Sequence, residues 1–255
     1  MGGLVSSLAF PVPKLPKSYY EQELLRRRDL VWLRTTKGER IPAVYVQAPQ
    51  RNGRTKRDVT LLFSHGNAED IALHLPFISA LASRTGCDVF SYEYVGYGPS
   101  RFVPHTVPSE KGCYRAIDAA WAYLVQSGVP PSSIIIYGRS IGTGPSVDPA
   151  SRVAAKGLIL QSPIDSAVRC ALGYGSSLAL RPLDIFVNYE KMASVTCKVF
   201  ILHGSDDEVV PLRCGRALHE LAPVAAKPAW VPGYGHNDLP HDTVFHHAGV
   251  FLDSS

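Results

Sequence analysis

The chain of 255 residues contains no uninterrupted apolar run of about 18 residues, the least a membrane-crossing helix needs. The stretch Leu4–Phe10 has neither the charged flank nor the apolar length of a secretory leader. A membrane-spanning or exported protein is therefore not expected. Cysteine is scarce: there are five, Cys87, Cys113, Cys170, Cys197 and Cys214, an odd number, widely spaced and with no C-x-x-C pair. That excludes a disulfide framework and points to reduced thiols in the cytoplasm. Charge is also sparse, at 19% of residues with a net of +4, and outside the N-terminal region the basic side chains are scattered. No footprint for nucleic acid results. Internal repeats and low-complexity tracts are missing too. The histidines near the C-terminus (His236, His241, His246 and His247, with Asp238 and Asp242 among them) lack the spacing of a zinc helix, so neither a metal nor another cofactor is expected.

What the chain has in quantity is hydrophobic residues, 45% of the total, enough for one sizeable core. Residues 31–36 and 41–47, separated by Lys37-Gly38-Glu39-Arg40, read as an antiparallel hairpin. From Val59 onward short apolar strands alternate with helical patterns: strands over 59–64, 88–94, 134–137, 157–162, 198–204 and at Trp230-Val231, helices over 109–124 and around Leu73, Phe77 and Leu81. Alternation of this kind predicts an α/β fold, a mostly parallel central sheet with an antiparallel start and helices on both faces, whose ligands sit at the carboxyl ends of the strands. The expected organisation is an arm over residues 1–30 and a single domain over 31–255. A short cap spans about 163–197, with helical turns near 167–172 and 178–187.

The stretch on which the rest depends is Ile134–Ser146. A β-branched run meets Gly138-Arg139-Ser140-Ile141-Gly142, the G-x-S-x-G pattern of a sharp strand-to-helix turn that exposes a serine hydroxyl above the sheet. A hydroxyl is a weak nucleophile unless a base takes its proton, an acid orients that base, and donors meet the developing oxyanion. After the 198–204 strand, Gly204-Ser205-Asp206-Asp207-Glu208-Val209 offers Asp207 as the acid, with Asp206 the runner-up. After Trp230-Val231, the loop Gly233-Tyr234-Gly235-His236 offers His236 as the base. The order Ser140, Asp207, His236 is that of nucleophile, acid and base in α/β-hydrolases. The backbone N–H of Ile141 and one from Asn67 or Ala68, in the loop after the 59–64 strand, are the expected oxyanion donors. His65 and His203, each before a glycine, read as turn residues.

The N-terminal region carries a different signal. Met1-Gly2-Gly3-Leu4-Val5-Ser6 fits the pattern for N-myristoylation at Gly2. Pro11, Pro13 and Pro16 predict an extended arm, with Lys14 and Lys17 between them, followed by a short helix from Glu21 that runs into Arg26-Arg27-Arg28. An acyl chain beside basic residues suits the cytoplasmic membrane surface.

With these motifs in place, the chain resembles the α/β-hydrolase domain-containing protein 17 family of protein depalmitoylases from about Val31 to Leu252. The resemblance rests on L-L-F-S-H-G-N-A at 61–68, F-S-Y-E-Y-V-G-Y-G at 90–98, A-I-D-A-A-W at 116–121, Y-G-R-S-I-G-T at 137–143, H-G-S-D-D-E-V at 203–209 and G-H-N-D at 235–238. It implies a triad of Ser140, Asp207 and His236. The implied activity is hydrolysis of palmitoyl thioesters on S-acylated peripheral membrane proteins. The chain departs from the family in Arg139, where the family has glutamine, in Asp165, and in lacking an N-terminal cysteine cluster. The same triad would serve a carboxylesterase or lipase acting on small oxyesters, and a non-catalytic binding protein can be built on the same fold.

Overall fold

The computed structural model describes residues 10–50, 56–104, 106–176 and 180–255, arranged in two compact units, Met1–Pro130 and Pro131–Ser255. Gly2, the expected acylation site, lies outside the described residues.

In the first unit the expected hairpin is present as β1 (Leu30–Arg34) and β2 (Arg40–Val46). β3 (Thr60–Ser64) and β4 (Asp88–Tyr92) follow, and the strand order is β1-β2-β4-β3. β2 pairs antiparallel with β4, and β3 parallel with β4. The residues explain the change of pattern. β1 and β2 expose part of their length, whereas every residue of T-L-L-F-S and D-V-F-S-Y is buried, as a strand covered on both faces requires. Asp70 accepts from Leu73 N at 2.9 Å and caps α2 (Ile71–Thr85); Ser109 accepts from Gly112 N at 3.1 Å and caps α3 (Glu110–Gln126). Such caps satisfy amide groups that the first helical turn leaves without partners.

The N-terminal region is less detached than its prolines suggest. The helix α1 runs Lys17–Glu23, earlier than the expected start at Glu21, and Tyr20 and the following Leu24 are wholly buried. The Tyr20 hydroxyl donates to Asp70 Oδ2 at 2.7 Å. Burying a leucine side chain contributes about 1.5–3 kcal/mol, so this turn is part of the first unit's core and not a free arm.

The second unit holds β5 (Ile134–Arg139), β6 (Gly157–Gln161), β7 (Lys198–Gly204) and β8 (Ala229–Val231), all parallel and in that order. Its helices are α4 (Thr143–Ala150), α5 (Ala167–Leu172), α6 (Asn188–Lys191), α7 (Leu212–Leu221) and α8 (His241–Asp253). The cap keeps one of its two expected helices, α5. Of 178–187, residues 180–187 contain only a single turn of 3₁₀ helix, Arg181–Leu183. Pro182 breaks the pattern, Asp184 Oδ1 accepts from Val168 N at 2.8 Å, and Phe186 adopts a left-handed φ of 52°. The segment is a strap tied back onto α5.

Candidate active site

β5 delivers Ser140 at its carboxyl end, followed by the turn Ser140–Gly142 and then α4. Ser140 has φ +53°, a left-handed conformation that costs a non-glycine residue about 1–3 kcal/mol and persists only where the surroundings enforce it. Here they do. The Thr143 hydroxyl donates to Ser140 O at 2.6 Å and the Ser146 hydroxyl to Gly142 O at 2.8 Å. A Cβ at Gly138 would lie 2.6 Å from Gly142 O and 2.7 Å from Thr143 Cα, so the strand can enter so tight a turn only with glycine there.

The acid and the base come from neighbouring loops. The loop after β7 carries Asp207 and the loop after β8 carries His236, and the two are sewn together: Asp206 N donates to Tyr234 O at 2.9 Å, and Gly233 N to Ser205 Oγ at 2.9 Å. A Cβ at Gly204 would stand 2.2 Å from Tyr234 O, so the His236 loop crosses the end of β7 at a point with no room for a side chain. His236 Nδ1 lies 2.7 Å from Asp207 Oδ2, and its Nε2 lies 2.9 Å from Ser140 Oγ. A carboxylate only accepts, so Nδ1 carries the proton. Nε2 is then left with a lone pair facing the serine hydroxyl. Asp206 is exposed and accepts from Ser205 Oγ, so the choice between the two adjacent acids falls on Asp207.

Asp207 is held by more than His236. Its Oδ1 accepts from Val209 N at 3.0 Å and Val210 N at 2.7 Å. Its Oδ2 is also approached by His203 Nε2 at 3.2 Å, and that nitrogen donates to Val210 O at 2.8 Å. Burial pushes the carboxyl upward; the bonds from His203, His236 and Val210 N–H overcome that push and hold it well below the usual carboxylate range. His203 is therefore not a turn residue but the wholly buried penultimate residue of β7. Its four-residue spacing ahead of Asp207 is the signal in the sequence that would have found it. Arg139 also has a place here: its Nη2 donates to Asn237 Oδ1 at 3.3 Å, joining the residues that flank Ser140 and His236.

Ile141 follows Ser140 in the same turn of the second unit. Asn67 and Ala68 belong to the first unit, in the loop between β3 and α2. Ala68 has φ +56° and Asn67 Oδ1 accepts from the Tyr97 hydroxyl at 2.8 Å. The loop is braced by Glu93, which accepts from Ile71 N at 3.1 Å and Tyr94 N at 2.9 Å and lies 2.9 Å from His65 Nε2. Among the described residues no group of three His, Cys, Asp or Glu side chains is placed to hold a metal ion. His241, His246 and His247 lie on α8.

A buried histidine linking a strained serine to a carboxylate, on loops that follow the parallel strands β5, β7 and β8, is an arrangement suited to acyl transfer. No family model matches the chain. Its fold matches an esterase from Pyrococcus furiosus over 95% of this chain and 96% of that one, with a TM-score of 0.69 at 17% identity. The chain is an α/β hydrolase. It is 41% identical over 222 residues to alpha/beta hydrolase domain-containing protein 17C of Homo sapiens, covering 86% of this chain and 64% of that protein. To the 17B protein of the same species it is 42% identical over 207 residues, covering 81% of this chain and 68% of that one. The chain belongs to the alpha/beta hydrolase domain-containing protein 17 family. It spans a little under two thirds of the length of its 17C relatives.

Proposed function

We propose that the chain is a serine hydrolase that removes fatty-acyl groups from cysteine thioesters of S-acylated proteins at the cytoplasmic face of a membrane. The observation that carries this reading is the continuous hydrogen-bonded path from Ser140 through His236 to Asp207. His236 Nε2 takes the proton of Ser140 as Oγ attacks the thioester carbonyl, and Asp207 stabilises the imidazolium that results. The N–H of Ile141, just past the nucleophile, receives the negative oxygen of the tetrahedral intermediate. Collapse expels the cysteine thiolate, which takes up the proton held by His236 and leaves the imidazole neutral again. Water, deprotonated by His236, then cleaves the acyl-serine and frees the fatty acid.

Family membership supports the thioester over an oxyester, and the leaving group separates the two. A cysteine thiol has a pKa of about 8.5 and departs readily, whereas an alkoxide leans on the imidazolium for its proton. The test is release of free peptide from an S-palmitoylated cysteine peptide and from its O-palmitoylated serine counterpart. We expect turnover of the thioester, with Ser140→Ala lowering it by roughly 10⁴-fold or more, and His236→Gln harming the residual oxyester reaction more than the thioester reaction. Wild-type protein that cleaves only the oxyester would replace this substrate class. Ser140→Ala protein that keeps a large share of the activity would remove Ser140 as nucleophile.

A further inference from the structure

At the amino end of β7, the end away from the Asp207 loop, the second unit holds a cavity of about 520 Å³ that the hydrolytic chemistry does not use. That volume lies within the range of about 300–1,000 Å³ typical of small-molecule sites. Three pieces of chain build it. Lys198 and Phe200, two apart in a strand, share one face of β7. On α8, His246 and Val250 form one row with Ser254 just past the helix, and His247 and Phe251 form the next, each spaced by four along one side of the helix. Residues 226–229, which enter β8, close the third side. They are drawn against β7 by Ala226 N, which donates to Val199 O at 2.8 Å, and by Val199 N, which donates to Val224 O at 2.9 Å.

Floor and rim differ in chemistry. The rings of Phe200 and Phe251 are buried and stacked, 5.5 Å apart with 17° between their planes. Pro228 and Ala229 extend this apolar floor, and Val250 stands 55% exposed at its edge. Among the described residues the ionisable groups that line the cavity are all basic: Lys198, Lys227, His246 and His247. Lys198 is partly committed, because its Nζ donates to Ser254 O at 2.8 Å and to Ser254 Oγ at 3.1 Å and so answers the partial negative charge of the carbonyls at the end of α8. Lys227 is exposed and supplies the cation at the rim. Burial and the neighbouring His246, its ring centre 5.4 Å away, hold the His247 imidazole below its ordinary range. A neutral imidazole still donates one N–H. One exposed ammonium and two imidazoles beside an apolar floor match a single negative charge on an apolar body. A phosphate dianion calls for the arginine forks or helix N-terminus that this lining does not offer.

We infer that this cavity is a binding site for a small amphipathic monocarboxylate, its head group on Lys227 and the two histidines and its aliphatic body along Phe200, Phe251 and Val250. Because the site is at the opposite end of β7 from Asp207, its occupant does not touch His236.

The experiment titrates the purified full chain, at constant pH, with sodium octanoate, with acetate as the head group without the body, and with octanol as the body without the charge. Histidine ring signals are followed by NMR and assigned by replacing each histidine in turn with glutamine. The expected result is a saturable shift of the His246 and His247 signals with octanoate alone, while the His236 signal stays where it was. Lys227→Gln should raise the octanoate concentration at half-saturation several-fold, and Val250→Asp, which sets a carboxylate at the rim, should abolish the shift. Both positions are exposed, and an unchanged melting temperature checks that each variant is folded. The inference is overturned if octanoate produces no saturable shift, or if it moves His236 and leaves His246 and His247 alone, which would put it at the catalytic site. Acetate or octanol acting as octanoate does would overturn it too, since charge or apolar contact alone would then account for binding. The wild-type titration decides even if a variant fails to fold, and because it reads binding and not turnover it stands whichever ester the enzyme cleaves.

Discussion

Asp207 accepts from two amides and faces two histidines, and this number of donors decides how the protein meets acid. Its folded carboxyl titrates below the unfolded value of about 3.9. The stabilisation is accordingly complete above that unfolded value and is lost as pH falls through the folded one. Asp207→Asn should therefore unfold with a weaker dependence on pH at the acid end, as followed by circular dichroism, while losing activity by about 10⁴-fold through the wrong histidine tautomer. His203 makes a separate contribution. Replacing it with phenylalanine keeps a ring beside Gly215 but strands Val210 O, a buried acceptor, at about 1–3 kcal/mol. We expect His203→Phe to melt earlier and to unfold at higher pH than the wild type, because Asp207 has lost one of the groups that keep it ionised. An unchanged acid profile would mean that His203 serves packing alone. The choice of Asp207 over Asp206 could be read from the sequence, since the apolar path resumes three residues after it. The part played by His203 was harder to read, because a His-Gly pair at a strand end looks like a turn unless its four-residue spacing ahead of Asp207 is weighed.

At the scale of elements, the hairpin pattern and the alternation of short apolar runs with helical patterns were enough to place the eight strands of the described residues within a few residues. A strand covered on both faces is mostly apolar, and a turn must be punctuated. The N-terminal helix and the cap were less legible for a shared reason. Each is held by single side chains reaching distant partners, as Tyr20 reaches Asp70 and Asp184 reaches Val168, and such contacts leave no period in the sequence. Gly144 shows what the cap contributes. A Cβ on it would stand 2.2 Å from the ring of Phe186, whose backbone is left-handed, so the strap lies directly on the helix that follows the nucleophile. Gly144→Ala should cost about 1–3 kcal/mol by overpacking, and Phe186→Leu about 1 kcal/mol or more by leaving a void. In the double variant the alanine methyl enters space that the smaller side chain vacates. Its loss, read from denaturant midpoints, should fall short of the sum of the two single losses; strict additivity would mean that the ring and the helix are not in functional contact.

At the scale of the whole molecule, the question is how a chain in which, among the described residues, no helix is long and apolar enough to cross a membrane would reach the membrane-bound acylated proteins proposed as its substrates. The proposed anchor combines an acyl chain on Gly2 with the basic residues near the N-terminus. One myristoyl chain gives an association constant of only about 10⁴ M⁻¹, so a second attraction is required. Three arginines in a row suggest three equal contributions, yet the structure separates them. Arg27 is clamped on Asp29, Nε to Oδ1 at 2.8 Å and Nη2 to Oδ2 at 2.6 Å, and Lys17 stands 3.7 Å from Glu21. Arg26 and Arg28 are exposed and can turn toward lipid headgroups. At about 1 kcal/mol for each basic residue near an anionic leaflet, replacing Arg26 and Arg28 together by glutamine should lower partitioning onto phosphatidylserine vesicles by up to about 30-fold. Replacing Arg27 by glutamine and Asp29 by asparagine together should do much less, because the clamped pair carries no net charge to present to the surface. Raising the salt to about 1 M shortens the screening length to about 3 Å and should bring all these variants together, while Gly2→Ala removes the part of the binding that salt leaves behind. Vesicle sedimentation at two ionic strengths reads every arm, and equal losses from the Arg27/Asp29 pair and from the Arg26/Arg28 pair would show that the Asp29 clamp does not cancel the Arg27 charge.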